Sequence, residues 1–154
     1  MTEDRYDREQ HERLPDPLAS RLGYLLKHAQ QRLVQAAGPA TARYGVDGRE
    51  LAALTVLAAG SPLSQQDAAQ ALDIDRTTMV TLVDALEAKG LVERHRSPRD
   101  RRKNIVQLTS AGQRCLRAAG KARDEAEREF LAPLGDRLAG QFVRALQILA
   151  SSGN

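Results

Sequence analysis

Between Arg94 and Lys103 the chain places six cations, Arg94, Arg96, Arg99, Arg101, Arg102 and Lys103, against a single carboxylate, Asp100, for a formal charge of +5. The whole 154-residue chain nets only +3. Cations this crowded repel one another unless an anion relieves them, so the cluster points to a polyanionic partner. Asp100 stands two residues before Arg102, where it can brace that guanidinium and aim it into a minor groove. Narrow A·T-rich minor grooves attract arginine through their enhanced negative potential. Arg94 and Arg96 suit phosphate contacts that fix register, and His95 between them adds to the basic stretch. Upstream stand Arg76, Thr77, Thr78 and Thr81. Arginine donates two hydrogen bonds to guanine, and threonine bonds a base or phosphate or lays its methyl on thymine.

Other residue types offer less chemistry. The three histidines, His11, His28 and His95, include no pair at metal-ligand spacing, and the single cysteine, Cys115, excludes an internal disulfide and a cysteine-based zinc cluster. Arg114 and Arg117 near Cys115 favour thiolate, but a buried structural thiol is the expected state. Gly45, Gly48, Gly90 and Gly112 lack the spacing of a phosphate-binding loop and read as helix punctuation. No motif supports an enzyme, a metal site or a resident cofactor.

The elements that position the basic and threonine groups follow from periodicity. With 2 Phe, 3 Tyr and no Trp, the core must come from Leu, Val, Ile and Ala, which favours packed helices. Leu18, Leu22, Leu25, Ala29, Leu33, Ala36 and Ala40 recur at three and four, the spacing of one helix face, with Pro17 in the first turn. A second helix spans 48–59 and ends at Gly60-Ser61-Pro62. Two short helices follow. Ser64 caps the first by accepting the Asp67 N–H, and Asp75 caps the second after the turn Asp73-Ile74-Asp75. The second, 76–89, buries Met79, Leu82, Val83 and Leu86 and leaves Arg76, Thr77, Thr78 and Thr81 facing outward. Beyond Gly90 the period becomes two, giving strands 91–96 and 104–109 joined by a long basic tip. Thr109 or Ser110 caps the next helix, Ser110 with Gln113 fitting the capping-box spacing. A break at Pro133-Leu134-Gly135 precedes a last helix striped by Leu138, Phe142, Ala145 and Leu149.

The expected fold is mainly α with a two-stranded β-hairpin wing: a winged helix-turn-helix with about six helices. Its recognition helix presents Arg76, Thr77, Thr78 and Thr81, Ser64 and Gln65 begin the preceding helix as further candidate DNA contacts, and Arg94, Arg96, Arg99, Asp100, Arg101, Arg102 and Lys103 form the wing. A first helix of about 25 residues would be about 38 Å long, more than the winged module can cover. A second copy covering the terminal stripes gives a homodimer, with recognition helices about 34 Å apart on an inverted repeat. A monomer folding its terminal helices onto its own core is the alternative.

The run from Asp75 to Val92, followed by Arg94, Pro98, Asp100-Arg101-Arg102, Val106, Leu108-Thr109 and Gly112, resembles the MarR family of bacterial transcriptional regulators. The resemblance covers roughly residues 17–151. It implies an obligate homodimer with interlocked terminal helices, double-stranded DNA as partner, and wing residues at Asp100 and Arg102. It also implies a small aromatic or phenolic effector between the dimer helices and the DNA-binding lobe, with Tyr24, His28 and Arg49 the candidates to line that pocket.

The expected organisation is therefore a disordered acidic tail over 1–16, a dimerisation helix over 17–46, a DNA-binding domain over 47–109 and C-terminal dimerisation helices over 110–154. The tail holds six acids against three arginines, a formal charge of −3, unlike a secretory signal. No apolar run reaches the roughly 18–20 residues of a bilayer span, so a cytoplasmic protein is expected. The functional expectation is a repressor released by its effector, with activation left open. The rival is a winged-helix interaction module whose basic wing docks an acidic protein.

Overall fold

A computed structural model describes residues 20–60, 62–98 and 104–151. The tail 1–16 and the wing-tip residues Arg99, Asp100, Arg101, Arg102 and Lys103 lie outside the described residues. The chain divides into two compact units, Met1–Gln35 and Ala36–Asn154. In the first, the described chain enters helix α1 (Leu22–Ala42), with Leu22, Leu25, Leu26 and Val34 exposed. The helix runs through Gly38-Pro39, and because proline has no N–H, the Gln35 carbonyl lacks its usual i+4 donor.

The second unit holds the core. Helix α2 (Gly48–Ala58) buries Leu51, Ala53, Leu54 and Leu57. Strand β1 (Leu63–Ser64) leads into α3 (Gln65–Ala71), which buries Ala68 and Ala69. Helix α4 (Arg76–Ala88) buries Met79, Val83 and Leu86, the expected stripe with Leu82 only half-buried. Strands β2 (Val92–Arg96) and β3 (Asn104–Leu108) add Val92 and Val106. Helix α5 (Ser110–Leu131) closes the cluster with Ala119. Further along α5, Ala126 packs with Ala37 and Ala40 at the end of α1. A 3-10 turn (Ala132–Leu134) precedes α6 (Gly135–Ser151), in which no residue is buried.

The sheet has three strands in the order β1-β3-β2, where two were expected. Leu63 pairs with Val106 and Ser64 with Ile105, while β2 and β3 pair from Val92–Leu108 to Arg96–Asn104. A two-residue strand is too short to show alternation, so it leaves no periodic signal. Among the described residues no helix is long and apolar enough to cross a membrane.

Candidate nucleic-acid interface

The helix-turn-helix is built by its caps. The Ser64 hydroxyl accepts the Asp67 N–H at 3.1 Å and donates to the Asp67 carboxylate at 2.6 Å. The Asp67 carboxylate in turn accepts the Ser64 N–H, completing a capping box. After α3, Asp73 takes a left-handed φ of 52°, a conformation Asp tolerates better than most side chains. Ile74 N then donates to the Ala69 carbonyl at 3.0 Å, and the chain reverses directly into Asp75. The Gln65 Nε2 is buried and has no hydrogen-bond partner among the described residues.

Asp75 caps α4, accepting from Thr78 N at 2.9 Å and from the Thr78 hydroxyl at 2.5 Å. These bonds, the hydroxyl's first and the backbone N–H second, hold the Asp75 carboxyl below its ordinary pKa. A depressed folded-state pKa contributes stability that is complete above the unfolded value and is lost as pH falls through the folded one. Asp75→Asn is therefore expected to melt below wild type at neutral pH and to converge with it at the acid end. Thermal melts between about pH 2 and pH 7 check this, and a constant offset would contradict it.

Arg76 and Thr77 are exposed at the start of α4, and Thr78 is half-buried. The Thr81 hydroxyl, also exposed, donates to the Thr77 carbonyl at 3.1 Å. Thr78 and Thr81 thus spend their hydroxyl protons within the helix and offer an outside partner only methyls and acceptor lone pairs. Arg76 and the Thr77 hydroxyl are the donors left exposed at this end.

On the wing, Arg96 is exposed as expected. Arg94 differs. Its guanidinium grips Asp84 and Glu87 of α4, one nitrogen to each carboxylate, leaving its side chain 23% exposed. Arg94, the residue that the sequence suggests for a phosphate contact, ties strand β2 to α4. His95 Nε2 faces Glu93 at 2.9 Å, so its contribution to the basic surface is partly offset.

Sequence reasoning missed the clasp at the other end of α4. Lys89 Nζ donates to Glu50 Oε1 at 2.6 Å, to Glu50 Oε2 at 2.8 Å and to the Gly45 carbonyl at 2.8 Å. Glu50 also accepts the Asp47 N–H at 2.9 Å, in a capping box whose other half is Asp47 accepting from Glu50 N. The Asp-x-x-Glu spacing was available as a signal. The partnership with Lys89, 39 residues away, was not.

The first half of α5 is docked by Thr109, which accepts the Gly112 N–H at 3.0 Å and donates to the Gly90 carbonyl at 2.7 Å. The cap is therefore Thr109, not the Ser110–Gln113 box. Cys115 is half-buried and donates weakly to the Tyr44 carbonyl at 3.6 Å. Burial pushes its thiol pKa up, outweighing the opposing effect of Lys89. Cys115 is expected to react with a disulfide reagent at pH 8 more slowly than free cysteine does; a faster reaction in stopped-flow would contradict this.

The candidate effector residues fall in both units. In the first, Tyr24 and His28 form a tilted ring pair with centroids 4.1 Å apart. In the second, Arg49 lines a cleft of about 420 Å³ with Leu72, Ile74, Asp75, Thr78 and Leu82. That cleft reaches the cap of the recognition helix itself.

Comparison with known proteins settles the family. The family model described as MarR family matches residues 44–103, the stretch containing the helix-turn-helix and the first strand of the wing. The chain is also 34% identical over 133 residues to a protein of Thauera aromatica assigned to transcriptional regulation of the hcr operon, covering 86% of this chain and 80% of that protein. The chain belongs to the MarR family. A MarR-type fold likewise relates it to the transcriptional repressor CouR bound to a 23-mer DNA duplex, with a TM-score of 0.80 and 32% identity over 93% of this chain and 100% of that one. CouR from Rhodococcus jostii RHA1 bound to p-coumaroyl-CoA matches with a TM-score of 0.75 and 28% identity, covering 86% and 94%. As a MarR-family member the chain is a transcriptional regulator with a winged-helix DNA-binding architecture, and the role of its relatives is non-enzymatic.

Proposed function

We propose that this MarR-family protein is a homodimeric repressor that binds an inverted-repeat operator and is released by a small aromatic or phenolic effector. The observation that carries the reading is the start of α4. Met79, Val83 and Leu86 anchor the helix in the core, while Arg76 and Thr77 project from its first turn. This is the end of a recognition helix that meets base edges in a major groove. Arg96 supplies a phosphate contact, and the cations Arg99, Arg101, Arg102 and Lys103, next to Asp100 in sequence, are the ones we assign to phosphate and minor-groove contacts. Ser64 and Gln65, at the start of α3, are further candidate contacts to the DNA backbone, Gln65 by turning its buried Nε2 outward.

Dimerisation is supported by the apolar surface one chain leaves uncovered. Helix α6 buries nothing, and Leu138, Val143, Leu146, Ile148 and Leu149 are exposed along it, Leu149 by 66%. On α1, Leu22 is 67% exposed and Val34 63%. Stripes of this kind are the faces of an interface between copies.

Effector control is supported by the Arg49 cleft, whose wall includes Asp75 and Thr78. A ligand there presses on the residues that cap the recognition helix. It lowers DNA affinity to the extent that it prefers the helix spacing that does not fit the operator. The Tyr24–His28 pair offers an aromatic surface for the same ligand class, and CouR's complex with p-coumaroyl-CoA is in keeping with an aromatic effector.

The test is a mobility-shift titration of Arg102→Ala on operator and random DNA over a range of salt. The expected result is weaker operator binding and a salt slope shallower by about one unit per lost phosphate-like contact per protomer. Wild-type affinity and slope would remove the wing from the interface.

A further inference from the structure

A second cleft, also of about 420 Å³, opens where the C-terminal end of α2, strand β3 and the first half of α5 meet. It shares no lining residue with the Arg49 cleft. We propose that it is a separate binding site for a small apolar carboxylate, the apolar body resting on Leu57, Leu108 and Leu116 and the carboxylate on Arg117. This inference stands apart from the effector reading above and does not depend on it.

The floor is apolar and firmly held. Leu57 is buried, and Leu108 and Leu116 are half-buried against the main core. The polar groups come from one rim. Gln113 and Arg117 are four residues apart on α5 and so share a face, and Gln107 adds a carboxamide from β3. A leucine floor with a few convergent polar groups is the usual make-up of a small-molecule site, and the volume lies at the small end of the roughly 300–1,000 Å³ such sites occupy.

The sign of the ligand follows from α5. Arg114 and Arg117 lie on its first half, Lys121 follows at its midpoint, and no acid appears on the helix before Asp124. The ion pairs on α5, Arg123–Glu127 and Arg128–Glu125, belong to its second half. Arg117 therefore faces the cleft with its charge uncompensated by its own helix. A planar guanidinium at an apolar floor matches a carboxylate through two parallel N–H···O bonds. The carboxamides of Gln107 and Gln113 accept or donate to a ring hydroxyl or to the second carboxylate oxygen.

The position also makes the site regulatory. Leu108 ends the wing strand, and Thr109 after it caps α5. A ligand spanning Leu108 and Arg117 thus fixes the angle at which the wing leaves α5, and its differential affinity for that angle becomes a change in DNA affinity.

The test is a methyl-resolved NMR titration of the full-length protein, leucine-labelled, with benzoate, hexanoate and the uncharged analogue benzamide. The expected result is saturable shifts of the Leu57, Leu108 and Leu116 methyls with both carboxylates, and affinity for benzamide at least about tenfold weaker. Arg117→Met should weaken carboxylate binding by about tenfold or more. Arg49→Met should leave these shifts intact. Because Arg117 is exposed, an unchanged melt confirms that this variant folds, and Gln113→Ala provides a second weakening substitution on the same rim. Silent methyls, equal binding by Arg117→Met, or benzamide binding as well as benzoate would each overturn the site.

Discussion

Replacing Gly112 with alanine is expected to destabilise the protein by about 3 kcal/mol and to lower its melting temperature by roughly 6–12 °C. A Cβ at this position would lie 1.9 Å from the Leu91 carbonyl oxygen and 2.9 Å from its carbon. The obstructing atoms are backbone, so no rotamer relieves the contact. Nor can the Leu91 carbonyl swing aside without cost, because it accepts the Thr109 N–H at 3.0 Å. Gly112 N is itself tied to the Thr109 hydroxyl, so α5 cannot back away without losing its cap. The strain falls where the wing strands enter the core, and DNA affinity should fall with stability. Thermal melts of the purified variant check this. A melting temperature within about 2 °C of wild type would mean that the junction is looser than described.

The second large effect is at Lys89. Lys89→Met should cost about 2–4 kcal/mol by leaving the Glu50 carboxylate, 8% exposed, without its cation. The Lys89 side chain is 41% exposed, so solvent screens part of the pair and the lower half of that range is expected. The loss is mainly the cost of an unpaired buried charge. Glu50→Gln in the same chain should therefore recover part of it, and urea unfolding of both single variants and the double variant measures the coupling. Strict additivity would contradict the clasp. The same contact ties the C-cap of the recognition helix to the loop after α1 through the Gly45 carbonyl, so its loss loosens the position of α4 as well as the fold.

Local chemistry is the part of this protein that the sequence displays. Ser64 and Asp75 cap the helices they precede because a cap depends on residues at fixed short offsets. The Met79, Val83, Leu86 stripe is legible for the same reason. What the sequence hides is long-range or steric. Arg94 looks like one more wing cation, and only the packing of β2 on α4 brings it to Asp84 and Glu87. Gly112 reads as punctuation until the Leu91 carbonyl is placed against it. Strand β1 is invisible because two residues carry no period. Thr109 and Ser110 are equally good caps on paper, and the Gly90 carbonyl decides between them. Thr77 and Thr81 are legible as outward-facing residues, but Thr78 is half-buried, and the hydroxyl of Thr78 is drawn to Asp75 and that of Thr81 to the Thr77 carbonyl. The side-chain donors left at this end are Arg76 and the Thr77 hydroxyl.

The most direct test of the central claim, that a dimer of this chain reads an inverted repeat through the start of α4, is a footprint on the intergenic DNA beside its own gene. Wild-type protein should protect two half-sites centred about 34 Å apart, one turn of the duplex. Arg76→Ala should lose that protection while retaining most of its weak affinity for random DNA. Uniform protection with no half-site pattern, or an Arg76→Ala footprint identical to wild type, would contradict the account.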